Sequence, residues 1–351
     1  MLSISKDKID TLFELIGSNQ PLYIPVDNNS GKADFAKWEK GVTLSNALKT
    51  TRSAKDFFFP KTEHMVSYEV NGQEVKVIDP RKEIEDFVIF GVRACDARAF
   101  KAIDNVYLKM DPVDSYYKNR REHGTVITLA CNTPAKTCFC SNFAIDASES
   151  DDADVNCWFT NDAYFFKANT DKGNAFIEKA KSLLTDADDK AVEACKNDIK
   201  QKVSSLPFAD VGLSKVGDIS HEQMLKIFNS KLWEKVAEPC VGCGTCTYVC
   251  PTCMCFDVRD FATNNGVRQI RCWDSCMYND FTQMAAENPR HTQKERSRQR
   301  FMHKLVYYPM AHEGMSLCMG CGRCVESCPV NMNILKVIKE INADENIGGT
   351  K

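Results

Sequence analysis

CVGCGTCTYVCP (Cys240–Pro251) and CMGCGRCVESCP (Cys318–Pro329) share one rhythm, Cys-x2-Cys-x2-Cys-x3-Cys-Pro. That rhythm suits a 4Fe–4S cube. Cysteines three apart on a tight, glycine-containing loop aim three thiolates at three irons of one cube. The fourth cysteine, followed by Pro, points the other way and serves the partner cube. The expected ligand sets are therefore Cys240, Cys243, Cys246 and Cys328 for one cluster, and Cys318, Cys321, Cys324 and Cys250 for the other. Gly242, Gly244, Gly320 and Gly322 let backbone amides approach the sulfurs with no Cβ in the way. Two four-cysteine zinc knuckles are the competing reading, but zinc has no use for the x2, x2, x3-Pro spacing.

Outward from this stretch, cysteine usage divides the chain. Of 18 cysteines in 351 residues, twelve fall between Cys240 and Cys328. The opening MLSISKDKIDTL has no apolar h-region and no cleavage site, so the expectation is a reducing cytoplasm, with thiols rather than disulfides. No apolar run approaches the roughly 20 residues of a membrane span. A net charge of −3 gives no electrostatic reason to expect nucleic acid as a partner.

The N-terminal part reads as an α/β domain with a short parallel sheet. SISKDKIDTLFELIGS predicts a helix with Ser5 as its cap and Ile9, Leu12, Phe13 and Ile16 on its apolar face. PLYIPV (Pro21–Val26) predicts a strand, and MVSYEV-NGQ-EVKVI a hairpin turning at Asn71-Gly72. DFVIFGV (Asp86–Val92), then a helix Ala97–Leu108 capped by Asp96, then TVITLA (Thr125–Ala130) predict a parallel strand pair with a right-handed crossover. Both strands then end on one sheet edge, where α/β sites are built. This places Cys95 beside Cys131, Cys138 and Cys140, a candidate third centre holding an iron–sulfur cluster or zinc. A nucleophilic Cys95 at a helix start is a second reading of that residue, and buried thiols around a tight turn are the bland one.

Ser148–Asp154 is acidic and reads as a solvated loop, and Ala163–Thr170 as a further strand. Residues 173–238 read as a helical connector, with Asp186, Asp188 and Asp189 at a helix start. Cys157 and Cys195 stand alone and read as packing or surface residues. The domain scheme is 1–172, 173–238 and 239–351. The last is a two-cluster ferredoxin-like domain with a long helical insertion at 251–317, whose expected helices are YNDFTQMAAEN and TQKERSRQRFMHKLVYY. A final helix, NILKVIKEIN, follows.

The insertion holds a second surplus set, Cys253, Cys255 and Cys276, with Cys272 close by. These are candidate ligands of a further centre, or a shield for the clusters alongside Phe256 and Trp273. Arg296, Arg300 and Lys304 stack at i, i+4 spacing on the second helix. Such a run is ordinarily a solvated face. Beside anionic clusters it would instead raise their potential or dock an acidic partner.

Taken together, AKDFFFP (Ala54–Pro60), FGVRACDARAF (Phe90–Phe100), TCFC (Thr137–Cys140), CVGCGTCTYVCPTCMCFD (Cys240–Asp257), CWDSC (Cys272–Cys276), RSRQRFMHK (Arg296–Lys304) and CMGCGRCVESCP (Cys318–Pro329) carry a more specific signal. Through them the chain resembles, over nearly its whole length, one family of iron–sulfur subunits. It comprises the A component of anaerobic sulfite reductase and the β subunit of cytoplasmic sulfhydrogenase. SNFAID after Cys140 departs from that family's continuation. The resemblance implies a non-catalytic relay with two 4Fe–4S clusters. Its partners would be a flavin-containing, NAD(P)H-oxidising subunit together with a catalytic subunit of the sulfite reductase, hydrogenase or heterodisulfide-reductase type. No Gly-x-Gly-x-x-Gly follows a strand, so no dinucleotide site is expected here. The alternative is a catalytic subunit that binds flavin or substrate itself and is fed by its own clusters.

Overall fold

The computed structural model describes residues 1–47 and 49–348, and the chain opens on an unforeseen strand, Leu2–Ser5 (β1), with Ser5 standing, as expected, just before the first helical turn (Lys6–Lys8). Helix α1 (Ile9–Gly17) begins one turn later and buries Ile9, Leu12, Phe13 and Ile16 as its spacing requires. Leu22–Asp27 (β2) and Ala33–Lys37 (β3) follow, then the hairpin of Thr62–Asn71 (β4) and Glu74–Ile78 (β5). Its turn falls one residue later than expected, at Gly72-Gln73 between the paired Asn71 and Glu74, with Gly72 at φ +62°.

Phe87–Val92 (β6) is buried at every position, as a strand covered on both faces must be. Helix α2 (Ala94–Tyr107) starts three residues earlier than its spacing suggests, so Arg93, not Asp96, occupies the cap. Asp96 is instead buried inside the first turn. An unforeseen helix, α3 (Ser115–His123), capped by the Asp114 carboxylate, leads into β7 (Gly124–Leu129). Then come β8 (Val155–Phe159), also unforeseen, β9 (Ala163–Ala168), α4 (Asp171–Ala180), β10 (Thr185–Asp186) and α5 (Lys190–Ser204).

These strands form one sheet in the order β10-β1-β9-β8-β7-β6-β2-β3. The pairs β2–β6, β6–β7 and β7–β8 are parallel and the remainder antiparallel. The expected short parallel sheet is thus the centre of a larger mixed one. Side chains alternate across it. Val88, Phe90, Ile127 and Val155 meet α1 and Phe176 on one face. Ile89, Val92 and Val126 meet Phe100, Ile103, Phe58 and Tyr117 on the other.

The acidic stretch Ser148–Asp154 is a loop that is solvated only in part: Asp151 is exposed and Glu149, Asp152 and Asp154 are half-buried, while Ser148, Ser150 and Ala153 are buried. Its polar groups are satisfied from within, Ser150 N–H donating to Asn156 Oδ1 at 2.9 Å and Val126 N–H to Asp154 Oδ2 at 2.8 Å. Internal partners of this kind offset the cost of burying a charged loop.

Helices α6 (His221–Asn229) and α7 (Leu232–Ala237) lead to the first cysteine run and its one-turn helix α8 (Thr245–Tyr248). The insertion is not mainly helical. YNDFTQMAAEN contains only a short turn of 3-10 helix, Asp280–Thr282, and the stretch before it is a hairpin, β11 (Phe256–Thr263) and β12 (Gly266–Trp273). This hairpin pairs with the N-terminal one, giving a second sheet in the order β11-β12-β4-β5. Arg271, buried on β12, bridges Glu63 and Asp114. The basic helix forms as expected: α9 (Gln293–Met302) passes through a π-helical turn into α10 (Tyr308–Ala311). The second run carries α11 (Arg323–Glu326), and α12 (Ile334–Ala343) closes the chain, capped by Asn333.

Trp233, Val236, Phe301, Leu305, Val337 and Ile338 make the C-terminal core. Ala94, Ala99 and Ala102 on α2 meet Tyr308, Leu317 and Met319, and their small side chains bring the sheet edge close to the cysteine runs.

Candidate metal centres

The two runs fold alike. Gly244 (φ +71°) and Gly322 (φ +73°) each start a one-turn helix, and α8 lies against α11. Gly242 (φ +66°) and Gly320 (φ +58°) hold the preceding turn in a conformation that favours glycine. The structure brings Cys250 beside Cys318 and Cys321, with Cys324 also adjacent to both. Across the pair, Cys246 lies near Cys240 and also near Cys324 and Cys276. Cys240 Sγ accepts from Gln293 Nε2 at 3.3 Å, and Cys328 Sγ from Met332 N at 3.1 Å. Cys240, Cys324 and Cys328 all border the C-terminal core, while Cys243 is exposed.

Burial pushes the Cys246 thiol up to about 11 and the Cys321 thiol to about 12, because a low-dielectric site disfavours the thiolate, whereas the contact with Cys253, with Lys304 nearby, holds Cys250 down. Such sites need positive charge, and three buried cations supply it. Arg300 is 2% exposed and faces Cys246, Cys324, Cys253 and Cys250. Lys304, 3% exposed, faces Cys250, Cys253 and Cys318 and donates to Thr252 Oγ1 at 2.9 Å. Lys55 donates to the Cys253 carbonyl at 2.6 Å and sits 3.6 Å from the ring centroid of Trp273. Among the described residues, none of the three pairs with a carboxylate. Arg300 Nε and Nη1 also find no hydrogen-bond partner among the described residues. Unpaired buried charge is costly, so this site fits an anionic group such as a thiolate-ligated cube. Of the two readings of this helix, a solvated face and a cluster-adjacent one, the burial fits the second: two of its three stacked cations turn inward. Arg296 alone stays at the rim, donating to the carbonyls of Arg290 and His291.

The surplus cysteines of the insertion are also drawn in. The thiol of Cys253 meets that of Cys250, and Cys255 meets Cys276. Cys272 lies on β12 opposite Asp257. In the N-terminal domain, Cys95, Cys131, Cys138 and Cys140 line one cavity together with Cys321 of the second run. Among the described residues, no three His, Cys, Asp or Glu side chains meet closely enough to share one metal ion. Cys157 is packed in the sheet core, and Cys195 contacts Asn132 Oδ1 at 3.6 Å.

Lys55 and the Asp96–Arg323 pair were not legible as site residues. The one available signal was a lysine and an aspartate set within otherwise apolar runs, AKDFFFP and VRACDARAF.

Comparison with known proteins agrees with this geometry. Residues 239–332 match the 4Fe-4S dicluster domain family. Sulfhydrogenase 2 subunit beta of Pyrococcus furiosus is 31% identical over 297 residues, 84% of either chain. No solved structure matches. No helix is long and apolar enough to cross a membrane, among the described residues.

Proposed function

This chain belongs to the sulfhydrogenase β-subunit family, and on that premise we propose that it relays single electrons between a flavin-containing, NAD(P)H-oxidising partner and a catalytic subunit. The proposed ligands are Cys240, Cys243, Cys246 and Cys328 for one 4Fe–4S cluster, and Cys318, Cys321, Cys324 and Cys250 for the other. A cube bound in either place takes up and returns one electron at a time. The carrying observation is the set of three buried cations, Arg300, Lys304 and Lys55, gathered around cysteines with no carboxylate among the described residues paired to any of them.

The chain's own residues then have distinct tasks. The apolar core beneath Cys240, Cys324 and Cys328 keeps water from one side of the site. Arg300 and Lys304 hold positive charge where an added electron would reside, which favours the reduced state. Cys253, Cys255 and Cys276 shield the interior end of the site, beside Trp273 and Lys55.

Anaerobic purification followed by iron, sulfide and flavin analysis tests this reading. The expected result is at least about eight irons per chain, no flavin, and no NADH turnover by the chain alone. Bound flavin or turnover would replace the relay with a catalytic subunit. Zinc in place of iron and sulfide would remove electron transfer altogether.

A further inference from the structure

We propose that Cys95, Cys131, Cys138 and Cys140 hold a third 4Fe–4S cube at the carboxyl edge of the large sheet, in contact with the second cysteine run. This inference rests on the relay reading and extends it into the N-terminal domain.

The placement begins with the parallel pairing of β6 and β7, which brings both carboxyl ends to one edge. Gly91, with φ +89°, falls where the β6–β7 register shifts between Phe90 and Val92. Such an irregularity re-aims the chain beyond it, and here that chain is Arg93-Ala94-Cys95. Cys95 then sits in the first turn of α2, and Cys131 follows β7 after one residue. The loop after Cys131 folds back to add Cys138 and Cys140.

The four thiols line one small hollow of about 30 Å³. Cys131 faces Cys138, Cys140 faces both, and Cys95 faces Cys140. Two guanidiniums share the wall. Arg93, 5% exposed, faces Cys131 and Cys95, and Arg323, 2% exposed, faces Cys321 and Cys95. The thiol-lined hollow thus also has buried cations on its wall, although here Arg323 is paired with Asp96.

A cube and a single ion make different demands on four thiolates. No three of these cysteines meet closely enough to share one metal, and the same holds for the two cysteine runs. A tetrahedral zinc needs all four sulfurs on one atom. A cube binds each thiolate on a different iron and so requires them apart.

The hollow is also joined to the second run backbone to backbone. Phe139 N–H donates to the Gly320 carbonyl at 2.7 Å, and Cys138 Sγ lies 3.7 Å from the Cys321 carbonyl. A Cβ at Gly320 would sit 2.5 Å from Phe139 C and O and 2.6 Å from Cys140 N. At Gly322 it would run into the Thr137 carbonyl. Glycines of the second run therefore let the Thr137–Cys140 loop lie directly on it. Cys321 belongs to both walls, so an electron on either side has a short covalent and hydrogen-bonded route to the other.

The test uses the full chain, reconstituted anaerobically with iron and sulfide, with metal analysis and native mass spectrometry. The expected content is about twelve irons and no zinc, falling to about eight in Cys131→Ser and in Cys140→Ser. Cys157→Ser, packed in the sheet core away from the cavity, is expected to keep all of them. About eight irons in the wild-type chain, unchanged in Cys131→Ser, would overturn the third centre and leave the relay intact. Eight irons with one zinc would overturn the cube. A chain that takes up no iron at all would instead remove the relay reading itself. The wild-type native mass decides the matter even where a variant does not fold.

Discussion

Arg323 donates Nη1 and Nη2 to the two carboxylate oxygens of Asp96 at 2.6 and 2.7 Å, and the pair is almost wholly buried. Asp96 lies in the first turn of α2 and Arg323 in α11 of the second cysteine run, 227 residues apart. Arg323 Nε also donates to the Thr50 carbonyl at 2.9 Å. One guanidinium thereby ties three distant segments together beside Cys95 and Cys321.

Removing one partner of such a pair strands the other as buried charge. Asp96→Ala is expected to destabilise the chain by about 3–5 kcal/mol. Asp96→Leu combined with Arg323→Met should recover most of that loss, since no charge is left behind. Anaerobic denaturant midpoints for the three proteins check this. A double variant no more stable than Asp96→Ala would show that the pair is not an isolated unit.

Much of the fold was legible because its signals are local. FVIFGV and TVITL could only be buried strands, and the two Cys-Pro runs announced their own turns. What escaped was set by distant partners. YNDFTQMAAEN has a helix-like composition, yet Asn288 ties its segment back, donating to the Asn279 carbonyl at 2.9 Å and accepting from Thr282 Oγ1 at 2.8 Å. The hairpin β11–β12 found its place only through β4, nearly 200 positions away. For Arg300 and Lys304 a solvated face and a cluster-adjacent one both stayed open, because spacing shows which residues share a face, not whether that face meets water or sulfur. The four N-terminal cysteines were legible as a group because the parallel strand pairing that joins them follows from a simple strand–helix–strand order.

The close approach of Gly320 to Phe139 makes a discriminating substitution. Gly320→Ala combines a φ of +58° with contacts near 2.5 Å to backbone that cannot step aside. The expected loss is about 3 kcal/mol or more, the sum of left-handed strain and overpacking. Gly72→Ala, at φ +62° with nothing within 4 Å of the added Cβ, supplies the strain alone, about 1 kcal/mol. Equal losses in the two variants would show that the loop contact contributes nothing.

His303, at the start of the π-helical turn, is pushed down to about 4 by burial, with Lys304 and Arg290 adding repulsion. The unfolded chain binds a proton there near pH 6.5, while the folded chain stays neutral until about pH 4. Stability should therefore be fully present above about pH 6.5 and fall as the pH drops through that window. At pH 5 the loss is on the order of 2 kcal/mol. His303→Gln should flatten this part of the profile, read from denaturant midpoints at pH 7.5 and 5. Identical slopes would place the acid sensitivity elsewhere.

Arg300 and Lys304 make the sharpest electrical prediction. Each is buried against the cysteines that both runs supply, and Arg300 has two donor atoms with no partner among the described residues. An electron added nearby interacts with each cation through a medium less polar than water. At an effective dielectric near 20, a unit charge about 8 Å away contributes about 2 kcal/mol. For a one-electron couple that corresponds to a shift on the order of 90 mV. Arg300→Gln and Lys304→Met should therefore each lower a cluster potential, and Arg300→Glu should lower it further. Lys304→Arg, which keeps the charge, should shift it little. Potentiometric titration followed by EPR measures all four. Lys294→Gln, on the same helix and paired with Glu234 at 3.4 Å, is the control expected to leave the potentials unchanged. Equal shifts at positions 294 and 300 would mean that the helix acts through its overall charge rather than through the two cations it buries.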